Sequence, residues 1–317
     1  MSSASFHPET SIPDLSGRVY FVTGGTTGLG AGAISLLAAK NPAKIFFSGR
    51  NKSKADELIA KLEKTSTSTE LVFVECDLSS LASVQQAAKR FLAQSTRLDV
   101  LMCNAGIMAV PPGLSKDGYE IQFATNHLGH ALLMKLLLPN LLETARQPDS
   151  DVRIVNLSST AHSNTPSGGI EFSTLKTEQA SLGPVYQFRK FTRYGQSKLA
   201  NLLYAAELAK RYPSIKSVAV HPGFIKTDMT TGTSFMNRQI VAMARLASLA
   251  SGGRSLSFEE GPYNQTWAAT TPKENLTNGA YYEPIGNLTV PPTSYGKDSA
   301  LAKRLYDWTE KELAAFE

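Results

Sequence analysis

Short apolar runs alternate with amphipathic segments along the chain from residue 18 onward. Several of these runs are nearly continuous in Val, Ile, Phe and Leu, which is typical of strands covered on both faces of a sheet. The pattern predicts strands at Val19–Thr23, Lys44–Ser48, Leu71–Glu75, Val100–Asn104, Val152–Ser158, Ser217–His221 and Ala280–Tyr282. The predicted helices include Gly28–Ala39, Leu81–Gln94, Tyr119–Glu143, Tyr194–Arg211 and Phe258–Ala269. Because right-handed crossovers return each helix onto a face of the sheet, this alternation predicts an α/β fold with a doubly wound parallel sheet.

Three segments depart from the alternation. Residues 1–16 form a polar N-terminal arm, residues 162–190 form a polar insertion, and residues 230–254 carry a short amphipathic pattern at Phe235–Leu249. Long excursions from a compact domain are often lids or binding loops. We predict a substrate lid at 230–254, whereas for 162–190 a lid and a passive surface loop stay equally open. No Pro/Gly-rich linker divides the chain, so residues 1–317 are predicted to form a single domain.

Composition and charge narrow the class of protein. Of the 317 residues 42% are hydrophobic, and 32 Lys and Arg against 27 Asp and Glu give a net charge of +5. The positive charges are dispersed and form no run of five, so no nucleic-acid partner is expected. The chain has no apolar leader and no run of about 18 apolar residues, which predicts a cytoplasmic protein without an integral membrane segment. Cys76 and Cys103 each end an apolar run without metal-ligand spacing to a His or Cys, which predicts buried thiols and no metal site.

A glycine-rich turn, TGGTTGLG at 23–30, follows the first predicted strand and opens the first predicted helix. Glycines permit a sharp turn, leave backbone N–H groups uncovered and bring the N-terminus of a helix against a phosphate. The glycine spacing is one residue longer than in the simplest dinucleotide pattern, but its place between a strand and a helix predicts a dinucleotide site. The residues of the turn predicted to bind the cofactor are Gly24, Thr26, Thr27, Gly28, Leu29 and Gly30.

The end of the second predicted strand indicates which dinucleotide is bound. It reads Ser48-Gly49-Arg50-Asn51, and no Asp or Glu occurs between residues 40 and 55 to hold the ribose 2′-hydroxyl of NAD. An arginine at this place can bind a 2′-phosphate through two hydrogen bonds, and the side chains of Ser48 and Asn51 can add others. The sequence therefore predicts NADP(H), bound by Arg50 and Asn51.

Seven short motifs occur in order along the chain. They are TGGTTGLG at 23–30, CDL at 76–78, CNAG at 103–106, TNHLGH at 125–130, VNLSS at 155–159, YGQSK at 194–198 and HPG at 221–223. Together they resemble the classical short-chain dehydrogenase/reductase family, particularly its retinol-dehydrogenase-like and oxidoreductase members, from about Gly17 to Tyr282. The resemblance implies a Rossmann-type fold with a seven-stranded parallel sheet in the order 3-2-1-4-5-6-7. In that order Cys76 and Cys103 end strands that are not neighbours, which predicts two free thiols.

The resemblance also implies a role for residues of each motif. Asn126 would hold a helix and a bound water in the proton path, and Ser159 would orient the substrate oxygen. Tyr194 would be the general acid/base, with Lys198 as its electrostatic partner and as a ligand of the cofactor ribose. The residues implied to line the cofactor, from the adenine to the nicotinamide, are Asp77, Leu78, Asn104, Ala105, Gly106, Pro222, Gly223 and Thr227.

These roles make chemical sense, but the tyrosine has a competitor. Hydride transfer to a carbonyl carbon puts charge on its oxygen, which the hydroxyl groups of Tyr194 and Ser159 can stabilise. A Tyr and a Lys four residues apart share a helix face, yet Tyr186 and Lys190 form a second such pair. We favour Tyr194 because the small residues at 195 and 197 leave room beside it and an apolar helix face follows, whereas Tyr186 lies in the irregular insertion. Histidines near the motifs, at 127, 130, 162 and 221, are interpreted as packing or loop residues.

The predicted activity is the NADPH-dependent reduction of a carbonyl group, or the reverse oxidation of an alcohol. A small lipophilic substrate is expected because Phe224, Met229, Phe235 and Met236 suggest an apolar pocket. Two alternatives stay open: reduction of an imine or enone on the same scaffold, and a noncatalytic NADP-sensing protein, which the complete Ser–Tyr–Lys set disfavours. A homodimer is compatible with the sequence, although the insertion at 162–190 bears on the surface it would use.

Overall fold

The computed structural model describes residues 6–65, 68–183, 185–225 and 255–316. In these ranges the chain forms a central sheet with helices on both faces. The strands are β1 (Val19–Thr23), β2 (Lys44–Gly49), β3 (Glu70–Glu75), β4 (Val100–Cys103), β5 (Arg153–Leu157), β6 (Lys216–Val220), β7 (Phe224–Ile225), β8 (Ser255–Leu256), β9 (Tyr281–Glu283) and β10 (Asn287–Thr289). The helices are α1 (Pro8–Ser11), α2 (Gly28–Ala38), α3 (Lys52–Leu62), α4 (Leu81–Leu92), α5 (Ile121–Phe123), α6 (Gly129–Ala145), α7 (Arg189–Arg211), α8 (Tyr263–Thr270) and α9 (Ser299–Leu313).

The central sheet has eight strands in the described ranges, in the order β10–β9–β6–β5–β4–β1–β2–β3. Neighbouring strands are parallel, except that β10 is antiparallel to β9. With β9 as the seventh strand, the order 3-2-1-4-5-6-7 and the doubly wound α/β fold are confirmed. The predicted number of seven strands is corrected by β10, which follows a tight turn where Gly286 has a φ of +67°. A three-residue edge strand is too short to show a periodic apolar pattern.

The core lies in two layers, one on each face of the sheet. Because successive side chains of a strand point to opposite faces, Phe21 joins the layer of α4, α6, α7 and α9, whereas Tyr20 and Val22 join that of α2, α3 and α8. All five residues of β1 are buried, which explains its continuous apolar sequence. The strands thus form a fixed frame for the loops that follow them.

The helices differ from the prediction mainly at their ends. Helix α7 begins at Arg189, before the predicted start at Tyr194, and α8 begins only after Pro262, because proline disfavours a helical residue before it. The helix predicted at 119–143 is divided into α5, a π-helical turn at Ala124–Leu128, and α6. Helices α1, α3 and α9 are not among the predicted helices; the buried residues of α3 are Ala55, Leu58 and Leu62.

The arm at the N-terminus packs on the body of the protein where it is described. Phe6, Ile12 and Leu15 are buried, and the Phe6 ring meets that of Tyr263 edge to face at 5.6 Å. The lid predicted at 230–254 lies outside the described residues.

Two further predictions concern the thiols and the membrane. Cys76 and Cys103 are both buried and free, as the strand order predicts. No helix in the described ranges has both the length and the apolar character needed to cross a bilayer.

Candidate active site

The predicted site residues lie together at the carboxyl-terminal end of the sheet. Strands β1 to β6 are parallel, so the motifs that follow them all lie at the carboxyl ends of the strands. In open α/β sheets, ligands bind outside the carboxyl ends of the strands, at the point where the strand order reverses. Here that point lies between β1 and β4, where the glycine-rich turn and the motif at 103–106 face each other.

The glycine-rich turn has the backbone geometry of an anion site. Gly24 and Gly28 have φ values of +65° and +58°, which favour glycine. A Cβ atom on Gly30 would lie 2.2 Å from the Gly24 carbonyl oxygen, so only glycine allows this close approach. Helix α2 begins at Gly28, and the Thr27 side chain makes no capping hydrogen bond to it. The first N–H groups of α2 are therefore free of a side-chain cap and available to an anion.

A buried histidine connects this turn to the motifs on β4 and α6. The Thr23 hydroxyl oxygen accepts hydrogen bonds from the N–H groups of Asn104 (3.0 Å) and Ala105 (3.1 Å), and lies 2.8 Å from His130 Nε2. His130 Nδ1 lies 2.9 Å from the Asn126 carbonyl oxygen. Because a carbonyl only accepts, Nδ1 carries the hydrogen and Thr23 donates to Nε2. Burial lowers the pKa of His130 to about 4, which keeps the ring neutral.

This positioning residue was missed by the sequence analysis, which interpreted His130 as packing. Its partner Thr23 is 107 positions away, so only the fold reveals the connection. The signal in the sequence is a histidine four residues after Asn126, on the same face of a helix.

The adenosine side of the predicted cofactor site contains one unpaired cation. Arg50 is exposed and has no hydrogen-bond or ionic partner among the described residues. The Asn51 side-chain oxygen accepts from Lys54 N (3.0 Å) and caps α3, which leaves its amide N–H groups free. Arg50 and Asn51 thus directly follow β2, and their binding of a cofactor stays a prediction.

The Asp77 carboxylate already has partners within the protein, which the sequence does not show. Its carboxylate accepts hydrogen bonds from the Ser79 hydroxyl (2.7 Å) and N–H (3.1 Å), and lies 3.4 Å from Lys116 Nζ. Partial burial acts to raise the pKa of this carboxyl, but these contacts outweigh it and lower the pKa below its usual value. Leu78 is buried next to Asp77, and its carbonyl oxygen would lie 2.4 Å from a Cβ atom on Gly129.

Three of the residues predicted to be catalytic lie together in the structure. The Ser159 side chain lies close enough to the Tyr194 hydroxyl to favour its charged form, and Lys198 Nζ lies 5.7 Å from the centre of the Tyr194 ring. Lys198 is buried and donates to the Leu157 carbonyl oxygen at 2.9 Å. Burial raises the pKa of Tyr194 to about 12, against the lowering effect of the nearby Ser159 side chain, and burial lowers the pKa of Lys198 to about 8. At neutral pH the phenol is therefore protonated and the lysine is mostly charged.

Gly195 explains how Tyr194 reaches Ser159. Ser159 opens a 3-10 turn at Thr160–Ser163, and α7 passes directly over it. A Cβ atom at residue 195 would lie 2.0 Å from the Asn164 carbonyl oxygen and 2.5 Å from that of Ala161. Only glycine allows this approach of the helix to the turn.

We expect Gly195→Ala to force α7 away from the turn and to lower the free energy of unfolding by about 1–3 kcal/mol, as overpacking does. Urea unfolding measures this loss. Gly113→Ala is the matched control, because its Cβ atom would meet nothing closer than 4.0 Å. Equal losses in the two variants would contradict the prediction.

Asn126 holds α7 against the loop after β4. Its amide nitrogen donates to Ile107 O and Ser197 Oγ, both at 2.9 Å, and its oxygen accepts from Ile107 N at 2.8 Å. The Ser197 hydroxyl donates in turn to the Tyr194 carbonyl oxygen at 2.7 Å. Asn126 lies in the π-helical turn, a distortion that is frequent at functional sites. A Cβ atom on Gly106 would lie 3.1 Å from Asn126 Oδ1 and 3.4 Å from Lys198 Nζ, so Gly106 separates the two.

Some of the other predicted residues lie in the described ranges, and others lie outside them. Pro222 and Gly223 follow β6, and Gly223 has a φ of +98°. Thr227 lies outside the described residues, as do three of the four residues on which the apolar pocket was based, Met229, Phe235 and Met236. The competing Tyr186 is 79% exposed in a 3-10 turn before α7, so the structure brings Tyr194 and not Tyr186 to Ser159. No cluster of His, Cys, Asp and Glu within the described ranges has the arrangement of a metal site.

Comparison with known proteins identifies the family. The family model described as short chain dehydrogenase matches residues 18–178. An uncharacterised oxidoreductase of Schizosaccharomyces pombe is 37% identical over 306 residues, covering 95% of this chain and 86% of the relative. The chain belongs to the short-chain dehydrogenase/reductase family. It is also 35% identical to the short-chain dehydrogenase/reductase drtF of Aspergillus calidoustus, over 96% of each chain.

Solved structures of similar proteins agree with this family and fold. An uncharacterised protein from Mycobacterium paratuberculosis aligns with a TM-score of 0.71 and 27% identity, over 98% of this chain and 97% of the other. The NADPH-bound carbonyl reductase from chicken fatty liver aligns with a TM-score of 0.60 and 25% identity, over 87% of this chain and 100% of the other. The protein is therefore an oxidoreductase of the short-chain dehydrogenase/reductase family.

In this short-chain dehydrogenase/reductase, buried polar side chains attach the insertion at 162–190 to α7. Arg193, next to Tyr194, lies with its Nε 3.2 Å from Glu120 Oε1, and both side chains are almost fully buried. The Arg193 guanidinium also donates to the carbonyl oxygens of Val110 (3.1 Å) and Gln179 (3.4 Å). Gln196 Nε2 donates to the Gln179 side-chain oxygen at 2.9 Å. The insertion and the start of α7 thus share one hydrogen-bonded network.

Proposed function

We propose that this oxidoreductase reduces the carbonyl group of a small lipophilic molecule to an alcohol with NADPH. The observation that carries the proposal is the proximity of the Ser159 side chain to the Tyr194 hydroxyl, with Lys198 beside the phenol ring. Two neighbouring hydroxyl groups can both donate to an oxygen on which negative charge develops. The NADPH bound to the similar chicken carbonyl reductase adds support.

The cofactor proposal rests on the fit of the nucleotide turn and of Arg50. The uncapped N-terminus of α2 and the close approach at Gly30 suit a pyrophosphate, which needs bare N–H groups and no side chain. Arg50 offers an unpaired guanidinium at the place of the ribose 2′-phosphate. Lys198 and Tyr194 would contact the nicotinamide ribose, and NADPH, when bound, supplies the hydride.

Residues of this chain then stabilise the charge that develops on the substrate oxygen and supply its proton. Ser159 orients the carbonyl oxygen, and Tyr194, protonated at neutral pH because burial raises its pKa to about 12, donates its proton to that oxygen. The phenolate that is left is stabilised by the nearby Lys198 ammonium, which is mostly charged at neutral pH because its pKa is about 8. Asn126 and Gly195 keep α7, and with it Tyr194, in place for this transfer.

The test is NADPH consumption by the purified protein with a panel of aromatic and aliphatic ketones and aldehydes, followed through the nicotinamide absorbance. We expect turnover of apolar ketones. A protein that binds NADPH but consumes none of it with any carbonyl, imine or enone would contradict the proposal and favour a cofactor-sensing role. Turnover confined to imines or enones would keep the site but change the substrate class.

We expect NADPH to bind more tightly than NADH by about 1.5–3 kcal/mol, the contribution of one charge-assisted contact. Arg50→Asp should shrink or reverse this difference, because the guanidinium has no partner among the described residues and its replacement repels the phosphate. Titration of the protein with each cofactor measures both affinities. Lys61→Asp, an equal change in charge near the far end of α3, is the control. Equal affinities in the unmodified protein would refute the NADP assignment.

A further inference from the structure

A cluster of buried polar groups borders the reaction centre and has no role in the proposed reaction. It consists of His162, His221 and Tyr281, which are 1%, 4% and 3% exposed, and we name it the polar recess. The rings of His162 and Tyr281 meet edge to face with their centres 5.0 Å apart. His221 lies close to His162 and Lys198. A positive charge on either of these two residues disfavours a positive charge on the His221 ring. His162 Nδ1 lies 2.7 Å from the Ser159 carbonyl oxygen, so the polar recess lies beside Ser159 and Lys198.

Four side-chain atoms of the polar recess are buried without a hydrogen bond to any described residue. They are His162 Nε2, both ring nitrogens of His221 and the Tyr281 hydroxyl oxygen, four of the ten such atoms in the described ranges. The half-buried Glu283 is an acidic neighbour of Tyr281 but forms no well-aligned hydrogen bond with it. Buried polar atoms nearly always have partners, so a group of them without partners beside a reaction centre points to a ligand.

The hydrogen on His162 determines what this ligand must offer. His162 Nδ1 lies 2.7 Å from the Ser159 carbonyl oxygen, and because a carbonyl only accepts, Nδ1 carries the ring hydrogen. Burial lowers the pKa of His162, so the ring is neutral and Nε2 presents an unshared electron pair. That atom requires a hydrogen-bond donor. Burial also lowers the pKa of His221, to about 3, so its neutral ring offers one donor and one acceptor.

We propose that the polar recess binds a hydroxyl group of the substrate, in addition to the carbonyl group that is reduced. A hydroxyl group can donate to His162 Nε2 and accept from His221 or Tyr281, whereas a carboxylate has no hydrogen to donate. His162 lies in the 3-10 turn that Ser159 opens, so the hydroxyl group lies near the carbonyl, as in an α- or β-hydroxy ketone. This inference rests on the proposed carbonyl reduction and narrows its substrate.

Matched pairs of ketones test the proposal. 2-Hydroxyacetophenone and propiophenone differ only by a hydroxyl in place of a methyl group, and 3-hydroxypropiophenone and butyrophenone form a second such pair. We expect kcat/KM with NADPH to favour the hydroxy ketone of at least one pair by about tenfold or more, because a site with unpaired polar atoms rejects a ligand that cannot satisfy them.

Two variants assign this preference to the polar recess. In Tyr281→Phe and in His221→Leu the preference should fall to within about threefold. His221→Leu should not lower the melting temperature, because the His221 ring makes no hydrogen bond to a described residue. The control is Tyr282→Phe, which removes a hydroxyl group on the opposite face of β9, where it accepts from Thr277 N at 2.7 Å. Its preference should equal that of the unmodified protein.

A binding measurement separates this inference from the proposed reaction. Thermal shifts of the protein with NADP+ are compared for 1-phenyl-1,2-ethanediol and 1-phenyl-1-propanol. Selective binding of the diol that is lost in Tyr281→Phe would support the polar recess, even if no ketone were reduced and the proposed function failed. Binding of the two alcohols that is equal or undetectable, or a preference for hydroxy ketones that persists in both variants, would overturn it.

Discussion

Tyr194→Phe is expected to lower the turnover number for ketone reduction by about 10²–10⁴-fold, the usual effect of losing a general acid. The substitution removes one hydroxyl group and keeps the ring that packs near Lys198. The oxygen of the substrate then has no proton donor, and Ser159 alone cannot neutralise it. Affinity for NADPH should change little, because only one of the proposed ribose contacts is lost while Lys198, the glycine-rich turn and Arg50 are untouched. Steady-state kinetics and a cofactor titration measure the two quantities.

Tyr186→Phe is the matched control, since Tyr186 also stands four residues before a lysine. It is 79% exposed, and Arg189 lies over its ring at 5.7 Å. We expect turnover within about threefold of the unmodified protein. If Tyr186→Phe abolished turnover and Tyr194→Phe retained it, the acid assigned here would be the wrong tyrosine.

Arg193→Met is expected to lower the free energy of unfolding by about 3–5 kcal/mol, because it leaves the Glu120 carboxylate buried without its partner. Burial already raises the pKa of Glu120 in the presence of Arg193. In the variant the folded chain therefore takes up a proton that the unfolded chain does not, and its stability falls as pH rises. The loss should be larger near pH 8 than near pH 5, as urea unfolding at the two pH values would measure.

Two controls separate a buried charge from a simple loss of contacts. Glu120→Gln combined with Arg193→Met removes both charges and should recover part of the stability, with little dependence on pH. Arg146→Met breaks the exposed ion pair with Glu143 and should cost less than about 1 kcal/mol. A loss for Arg193→Met that matched Arg146→Met, or that did not change with pH, would contradict the explanation.

The features that could be predicted from the sequence depend on local pattern. β1 is predicted with its observed bounds because all five residues are buried and four of them are apolar, and the fold follows from the alternation of such runs with helices. Tyr194 was preferred over Tyr186 because small residues follow it, and the contact of Gly195 with the 3-10 turn gives the physical reason.

The features that could not be predicted depend on contacts between distant residues or on backbone hydrogen bonds. The roles of His130 and of the Glu120–Arg193 pair arise only when segments 73 or more positions apart meet. The π-helical turn around Asn126 differs from an α-helix in its backbone hydrogen bonds, which the spacing of apolar residues does not show. The histidines of the polar recess resemble packing residues in the sequence. The sequence around a buried histidine does not show whether its ring has hydrogen-bond partners.

The short strand β10 has a consequence for how the molecule meets its own copies at high concentration. An open sheet edge is a template on which the strand of another chain can add. β10 covers this edge with three residues, and one residue after it come Pro291 and Pro292, which have no N–H groups to donate. At the other edge, β3 begins and ends with an exposed glutamate, and such charges oppose strand addition. Both edge strands thus oppose the addition of a strand from another molecule. Aggregation of the folded protein would have to begin elsewhere.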